Sequence, residues 1–225
     1  MSFETIQSVN LRELVVEQIR TAIIEGRLRP NDHIVETVLT AQLGVSRTPV
    51  REALILLERD GLIVSYSHRG SFVRDFTVQD VEDIFTMRTT LENFAGERSI
   101  QSLTADNYHT LDILIQRQQE AIVAANFKEV RSIDMKFHEY LVEQADHMLL
   151  KRNWRQIVAQ IAAVLYLRAE VIPNYDEYLA IRDHQAIVGA YRQRDLEALR
   201  GINVRVNRRV AEECKQAVAQ LAKNS

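Results

Sequence analysis

Two groups of residues have types and spacings that could do chemistry. Asp134 and His138 are four residues apart, so on a helix their carboxylate and imidazole share a face, one turn apart. Such a pair can chelate a divalent transition metal, and His184 on a later helix can close the site across a bundle. The set is permissive: Zn²⁺, Ni²⁺, Mn²⁺ and Fe²⁺ all accept Asp and His ligands. Arg88 stands four residues before Glu92. It can serve as an ion-pair partner on its own helix. Facing a metal, its guanidinium would instead suit an effector carboxylate held bidentately. The second group is Ser46, Arg47, Thr48, Pro49 and Arg51, which crowd hydroxyls and guanidinium forks into one helix start. Those groups match phosphate oxygens and guanine edges.

The elements that must hold the second group read as a helix, a tight turn and a second helix over residues 39–63. Gly44 supplies the turn, Ser46 an N-cap, Pro49 a first-turn residue and Gly61 the stop. Val50, Leu54 and Leu57 keep to one face, which leaves Arg47, Thr48 and Arg51 free at the end of a recognition helix that reaches base edges. Before it, Leu11, Leu14, Val15, Ile19, Ala22 and Ile23 form a helical stripe ended by Gly26, and residues 29–32 are a turn leading to the next short helix. After it, residues 62–66 and 71–74 read as two short strands around His68-Arg69-Gly70. A hairpin of this kind places Arg69 and the backbone at Gly70 beside an adjacent groove.

From about Phe76 the pattern turns almost entirely helical. Residues 77–80 are a capping stretch, and Val81, Ile84, Phe85, Met87, Leu91 and Phe94 recur at helical spacing within 80–101. Further helices are expected over 104–126, 127–145, 147–172, 176–194 and 195–222, with breaks at Asn126, Asp146-His147, Pro173-Asn174 and Arg194-Asp195 and a polar tail at the end. The fold class is mainly α: an N-terminal winged helix-turn-helix with a small β-hairpin wing (residues 1–75), then a C-terminal all-α helical bundle (residues 76–225).

Composition agrees with a two-domain globular chain. With 225 residues, 46% hydrophobic and 26% charged, it can bury substantial cores. One cysteine, Cys214, excludes an intramolecular disulfide framework and fits a reducing cytoplasm. No signal peptide or membrane span is expected, since the N-terminus is neither basic nor followed by a long apolar run. Residues 1–75 hold nine Arg, no Lys and ten acidic residues, so the DNA-reading region has a net charge of −1. Its cations gather at Arg47, Arg51 and Arg69, a pattern that suits specific sites and predicts weak binding to random duplex.

Residues 11–75 resemble the N-terminal winged-helix domain of the GntR family of bacterial transcription regulators. The resemblance is carried by residues 42–54 (Gln-Leu-Gly-Val-Ser-Arg-Thr-Pro-Val-Arg-Glu-Ala-Leu) and by Arg69-Gly-Ser-Phe-Val73. It implies that Arg47, Thr48 and Arg51 contact phosphates and bases, that Ser46 touches the backbone, and that Arg69 and Gly70 enter the minor groove. Where many relatives carry an Arg early in the preceding helix, this chain has Glu36-Thr37. The later residues resemble the FCD domain of the FadR-like branch, through Arg88-Thr-Thr-Leu-Glu92, Asp134-Met-Lys-Phe-His138 and Asp183-His-Gln-Ala-Ile187. That resemblance implies an effector-binding and dimerising domain with a metal held by Asp134, His138, His184 and one further His. The position for the last is Val206, which cannot ligate; Asn203 and Asn207 beside it offer only amide oxygens.

The reading is a homodimeric, cytoplasmic regulator, a repressor, that binds a short palindromic operator in double-stranded DNA and releases it when a small carboxylic acid binds. Two other functional classes compete with it. A metal-dependent enzyme could use Asp134, His138 and His184, but residue 142 is Val, so His138-Glu139 does not complete a His-Glu-x-x-His motif, and no nucleophile elbow or phosphate loop is present. An effector-independent DNA-binding protein would not require a bundle of this size. Trp154, Tyr166 and Tyr175 to Tyr178 are expected in the core or at helix corners, and Arg205, Arg208 and Arg209 on a solvated face.

Overall fold

The computed structural model describes residues 11–172 and 175–224, which fall into two compact units meeting between Asp75 and Phe76. In the first, α1 (Leu11–Ile24) packs on α3 (Arg47–Arg59), and α2 (Glu36–Leu43) precedes the latter. The seam between α1 and α3 buries Val15, Ile19, Ala22 and Ile23 of the first stripe and Val50, Leu54 and Leu57 of the second, and adds Val16 and Ala53, whereas Leu11 and Leu14, expected in the stripe, are exposed. Each large aliphatic there contributes about 1.5–3 kcal/mol by leaving water. Gly44, at φ 65°, closes α2 in the left-handed region, where a residue with a Cβ would be strained.

Strands β1 (His33–Ile34), β2 (Ile63–Tyr66) and β3 (Gly70–Val73) form an antiparallel sheet in the order β1-β3-β2. The β2–β3 hairpin matches expectation within a residue at each end. Strand β1 is an addition: two residues carry no readable alternation, and they extend because His33 pairs with Phe72 and Ile34 with Ser71. The His33 ring stacks on Phe72 at 4.7 Å. Gly70, at φ 87°, is required twice over, since a Cβ there would also stand 2.7 Å from His33 Nε2.

The second unit contains α4 (Val78–Ser99), α5 (Ala105–Val123), α6 (Phe127–Gln144), α7 (Met148–Val171), α8 (Tyr178–Gln193) and α9 (Leu196–Asn224). Side-chain caps start five of them: Thr77 and Thr104 form capping boxes with Asp80 and Asn107, Asn126 accepts from Glu129 N–H, His147 Nδ1 accepts from Leu150 N–H, and Asp195 Oδ1 accepts from Ala198 N–H. Left-handed residues at Ala125, Asp146 and Arg194 turn the chain between helices. Helix α9 runs through Lys223 and Asn224, where a polar tail was expected. The break expected at Pro173-Asn174 lies outside the described residues. Helix α4 packs along α9 and also meets α6 and α7, so one helix touches most walls of the bundle. Phe137, Leu141, Ile181, Ile187, Tyr191 and Leu199 are among the buried residues that join α6, α8 and α9.

Candidate metal centre and nucleic-acid interface

Helix α6 places Asp134 and His138 one turn apart on its inner face, and α8 brings His184 against them. His184 Nε2 lies 3.3 Å from Asp134 Oδ1 and 3.3 Å from His138 Nε2. The three ligand atoms all fall within 4.8 Å of one another. Both imidazoles are almost fully buried, at 4% and 2% exposure. The His184 ring stacks on Phe137, centroids 3.9 Å apart, which fixes its plane.

The outer nitrogens settle what the inner ones present. Gln118 donates its amide N–H to the Val130 carbonyl, so its Oε1 faces His184 Nδ1 at 2.9 Å and must accept from it. His138 Nδ1 donates to Glu92 Oε1 at 2.9 Å. In a neutral ring whose Nδ1 carries the hydrogen, Nε2 is a lone pair. Burial, offset in part by Asp134, pushes the His184 pKa down and favours its neutral form. Burial alone would raise the Asp134 pKa, but it is held down on balance, with the permanent charge of Arg88 among the causes, so the carboxylate is ionised. Two imidazole lone pairs and a carboxylate oxygen therefore converge with no donor among them, an arrangement that a cation between them would satisfy. The spacing suits one: ligand atoms around a tetrahedral ion at about 2.1 Å stand roughly 3.4 Å apart. Outer hydrogen bonds of this kind orient metal-binding imidazoles.

Arg88 is buried beside this group, its Nε donating to Glu92 Oε1 at 2.9 Å. Glu92 also accepts from Asn207 Nδ2 at 2.7 Å. Burial opposes ionisation of Glu92, yet Arg88 and His138 hold its pKa down at about 2. A cavity of about 50 Å³ opens onto Asp134, His138, His184 and Arg88. A single water needs about 10–15 Å³ of such space, so there is room for more than one.

The walls differ from expectation at several positions. Val206 lines the cavity from α9 as an apolar surface, whereas Asn203 and Asn207 turn toward α4 and bond Asn93 and Glu92. Neither Asn reaches the position of a fourth ligand. Arg209 is not on a solvated face: it pairs with Asp183 and donates to Tyr175 Oη at 2.8 Å along the cavity wall. Tyr175, in the connection between α7 and α8, also lines the cavity wall, with the Arg168 guanidinium 3.9 Å above its ring. Trp154 is buried and Tyr166 bonds Glu170, away from the cavity lining. Glu92, Gln118, Arg131 and Arg168 were missed by sequence reasoning. For Glu92 the signal existed, in its spacing from Arg88; Gln118 lies 66 residues from His184 and had none.

In the first unit, Ser46, Arg47 and Thr48 are exposed and Pro49 is half-buried at the start of α3. Ser46 occupies the N-cap position in extended geometry, but its side chain makes no cap hydrogen bond, so the hydroxyl stays available. Arg51 is exposed and its Nε donates to Glu36 Oε2 at 2.8 Å. The hairpin tip carries exposed Arg69 and Gly70, the Arg69 guanidinium 5.6 Å over the Tyr66 ring. Among the described residues no helix is long and apolar enough to cross a membrane.

Comparison with known proteins gives both units a family. The model for bacterial regulatory proteins of the gntR family matches residues 11–73, and that for the FCD domain matches residues 83–221. An uncharacterized HTH-type transcriptional regulator, YdhC of Bacillus subtilis, is 30% identical over 188 residues, covering 80% of each chain. A probable D-xylose utilization operon transcriptional repressor of Paenarthrobacter nicotinovorans is 30% identical over 194 residues, covering 83% of this chain and 82% of its own. The solved structure of E. coli McbR/YncC shares the fold at a TM-score of 0.76 and 22% identity, covering 96% of this chain and 99% of that one. A winged helix-turn-helix followed by an FCD bundle, matched by family and relatives alike, makes this chain a member of the GntR family of DNA-binding transcription regulators.

Proposed function

We propose that the protein is a homodimeric repressor whose hold on a short palindromic operator is released by a small carboxylic acid bound in the FCD domain. The observation that carries the effector half is the convergence of the Asp134, His138 and His184 acceptor atoms on a cavity that Arg88 also lines. A divalent metal (Zn²⁺, Ni²⁺, Mn²⁺ or Fe²⁺) held by Asp134, His138 and His184 would supply a Lewis-acid anchor for the acid's carboxylate. Glu92 and Gln118 hold the two imidazoles by their outer N–H groups. Glu92 also fixes Arg88 at the cavity wall, where the guanidinium can meet a carboxylate. Val206 keeps that wall apolar and leaves coordination positions for the ligand instead of a fourth side chain.

On the DNA side, Arg47, Thr48 and Arg51 would read base edges and phosphates in the major groove. Ser46 and the start of α3 at Pro49 would meet the backbone, and Arg69 and Gly70 the neighbouring minor groove. Two copies related by a two-fold axis match a palindrome. Repression is supported by the relative of Paenarthrobacter nicotinovorans, itself described as a probable operon repressor. Release follows if the acid binds the DNA-free arrangement more tightly than the DNA-bound one.

The test is selection of duplexes from a random pool by the full chain, followed by titration with carboxylic acids. A two-fold symmetric site should be enriched, and Arg51→Ala should weaken its binding by roughly tenfold or more, as for a good base contact. An acid that binds should lower affinity for that site. Enrichment of no sequence would overturn the operator reading, and acids that bind without changing DNA affinity would overturn the coupling.

A further inference from the structure

Two cations at the cavity wall are not accounted for by the centre described above. Arg168, on α7, is 7% exposed at its side chain. Its Nη1 donates to Glu213 at 3.1 Å and its guanidinium lies on the Tyr175 ring, but its buried Nε has no hydrogen-bond partner. Buried arginine donors are ordinarily satisfied, so this one points to a ligand. Arg131, on α6, is half-buried in the same wall and makes no hydrogen bond or ion pair among the described residues. Burial lowers its pKa, and Arg168, within electrostatic reach, adds repulsion. The other arginines of the wall are engaged: Arg88 by Glu92, and Arg209 by Asp183 and Glu213. Glu177 lines the same wall within electrostatic reach of Arg131 and Arg168 and offsets part of their charge, yet it forms no hydrogen bond or ion pair with either.

We propose that the effector is a two-ended acid whose second anionic group is received by Arg168 Nε and the Arg131 guanidinium. The site would thus prefer dicarboxylates to monocarboxylates. This rests on the reading that the first carboxylate is anchored at Asp134, His138 and His184. The second end relieves the repulsion between Arg131 and Arg168 and gives Nε its missing acceptor, in a buried setting where a charge-assisted hydrogen bond is strong. Tyr175 holds the Arg168 guanidinium plane by its ring face, and Glu213 holds its far nitrogen, so the donor is presented in one orientation.

The experiment is calorimetric titration of the full chain with Zn²⁺ present. Malate is compared with α-hydroxybutyrate, which has a methyl in place of the second carboxylate, and α-hydroxyglutarate with α-hydroxyvalerate. Wild type should bind the better diacid at least about tenfold more tightly than its monoacid, as for a hydrogen bond between charged groups. Arg168→Gln should reduce that ratio to within about twofold, with the loss falling mainly on the diacid, as expected when the second contact is lost. Arg131→Gln should reduce it in the same direction, and it decides the matter if Arg168→Gln is unfolded by circular dichroism. A diacid preference absent from wild type, or intact in every folded variant, overturns the second subsite, leaving an ordered water on Nε. Binding of the monoacid without Zn²⁺, or no binding of either acid with it, overturns the metal-anchored reading and this inference with it.

Discussion

Glu36 and Arg51 meet across fifteen residues of sequence, and the pair bears directly on how the recognition helix behaves. Arg51 is one of the α3 cations proposed to read bases, and in free protein its guanidinium is shared with a carboxylate rather than left to any phosphate that passes. An exposed pair of this kind is worth about 0–1 kcal/mol. That is too little to block a specific site and enough to weaken indiscriminate binding. Glu36→Gln should therefore strengthen binding to random duplex by up to about fivefold at low salt, measured by fluorescence anisotropy. The gain should shrink as salt rises. Unchanged affinity would mean that Arg51 is not restrained. The sequence already exposed Glu36 as a departure from the family pattern, but its partner was not legible because the helix-turn-helix angle brings the two together. The ligand trio shows the same division. Asp134 and His138 were readable from one helix's periodicity, while Gln118, which fixes the His184 tautomer, depends on how α5 packs against α8.

At the scale of elements, the helices were legible because local signals agreed: apolar stripes at helical spacing, capping residues at their starts, left-handed or glycine residues at their ends. Strand β1 was not, since a two-residue strand exists only through its partner. The packing of α4 on α9 was equally hidden. Gly96 lies in α4 where a Cβ would stand 2.6 Å from Leu199 Cδ2 on α9, and Leu199, 1% exposed within the bundle core, has little room to move. Alanine gains about 1 kcal/mol of helix propensity over glycine, and overpacking typically costs about 1–3 kcal/mol. Gly96→Ala should thus lower the unfolding free energy by about 1 kcal/mol, read from the midpoint of urea denaturation. A rise in the midpoint would show that α4 and α9 can separate freely. The apolar face that α9 gives the cavity was legible at Val206, whereas Arg209 was misplaced because three arginines in five residues look like a solvated patch until the opposing Asp183 and Tyr175 are known.

At the scale of the molecule, the chain divides into two units with separate cores, one carrying exposed Arg47, Arg51 and Arg69 on a scaffold of near-neutral charge and the other a buried polar cavity. Fold and family were legible in the sequence because the motif of residues 42–54 and the helical periodicity after Phe76 are both local. What the second unit binds was not, because the cavity is assembled from α4, α5, α6, α7, α8 and α9 at once. We propose that Asp134, His138 and His184 hold a metal without help from residue 206. It is tested most directly by elemental mass spectrometry of the full chain, purified without chelator or histidine tag. About one transition metal per chain is expected, as for a single three-ligand site. Asp134→Asn and His184→Ala should each deplete it, since removing a ligand weakens the site. No bound metal, even after incubation with Zn²⁺, Ni²⁺, Mn²⁺ or Fe²⁺, would contradict it.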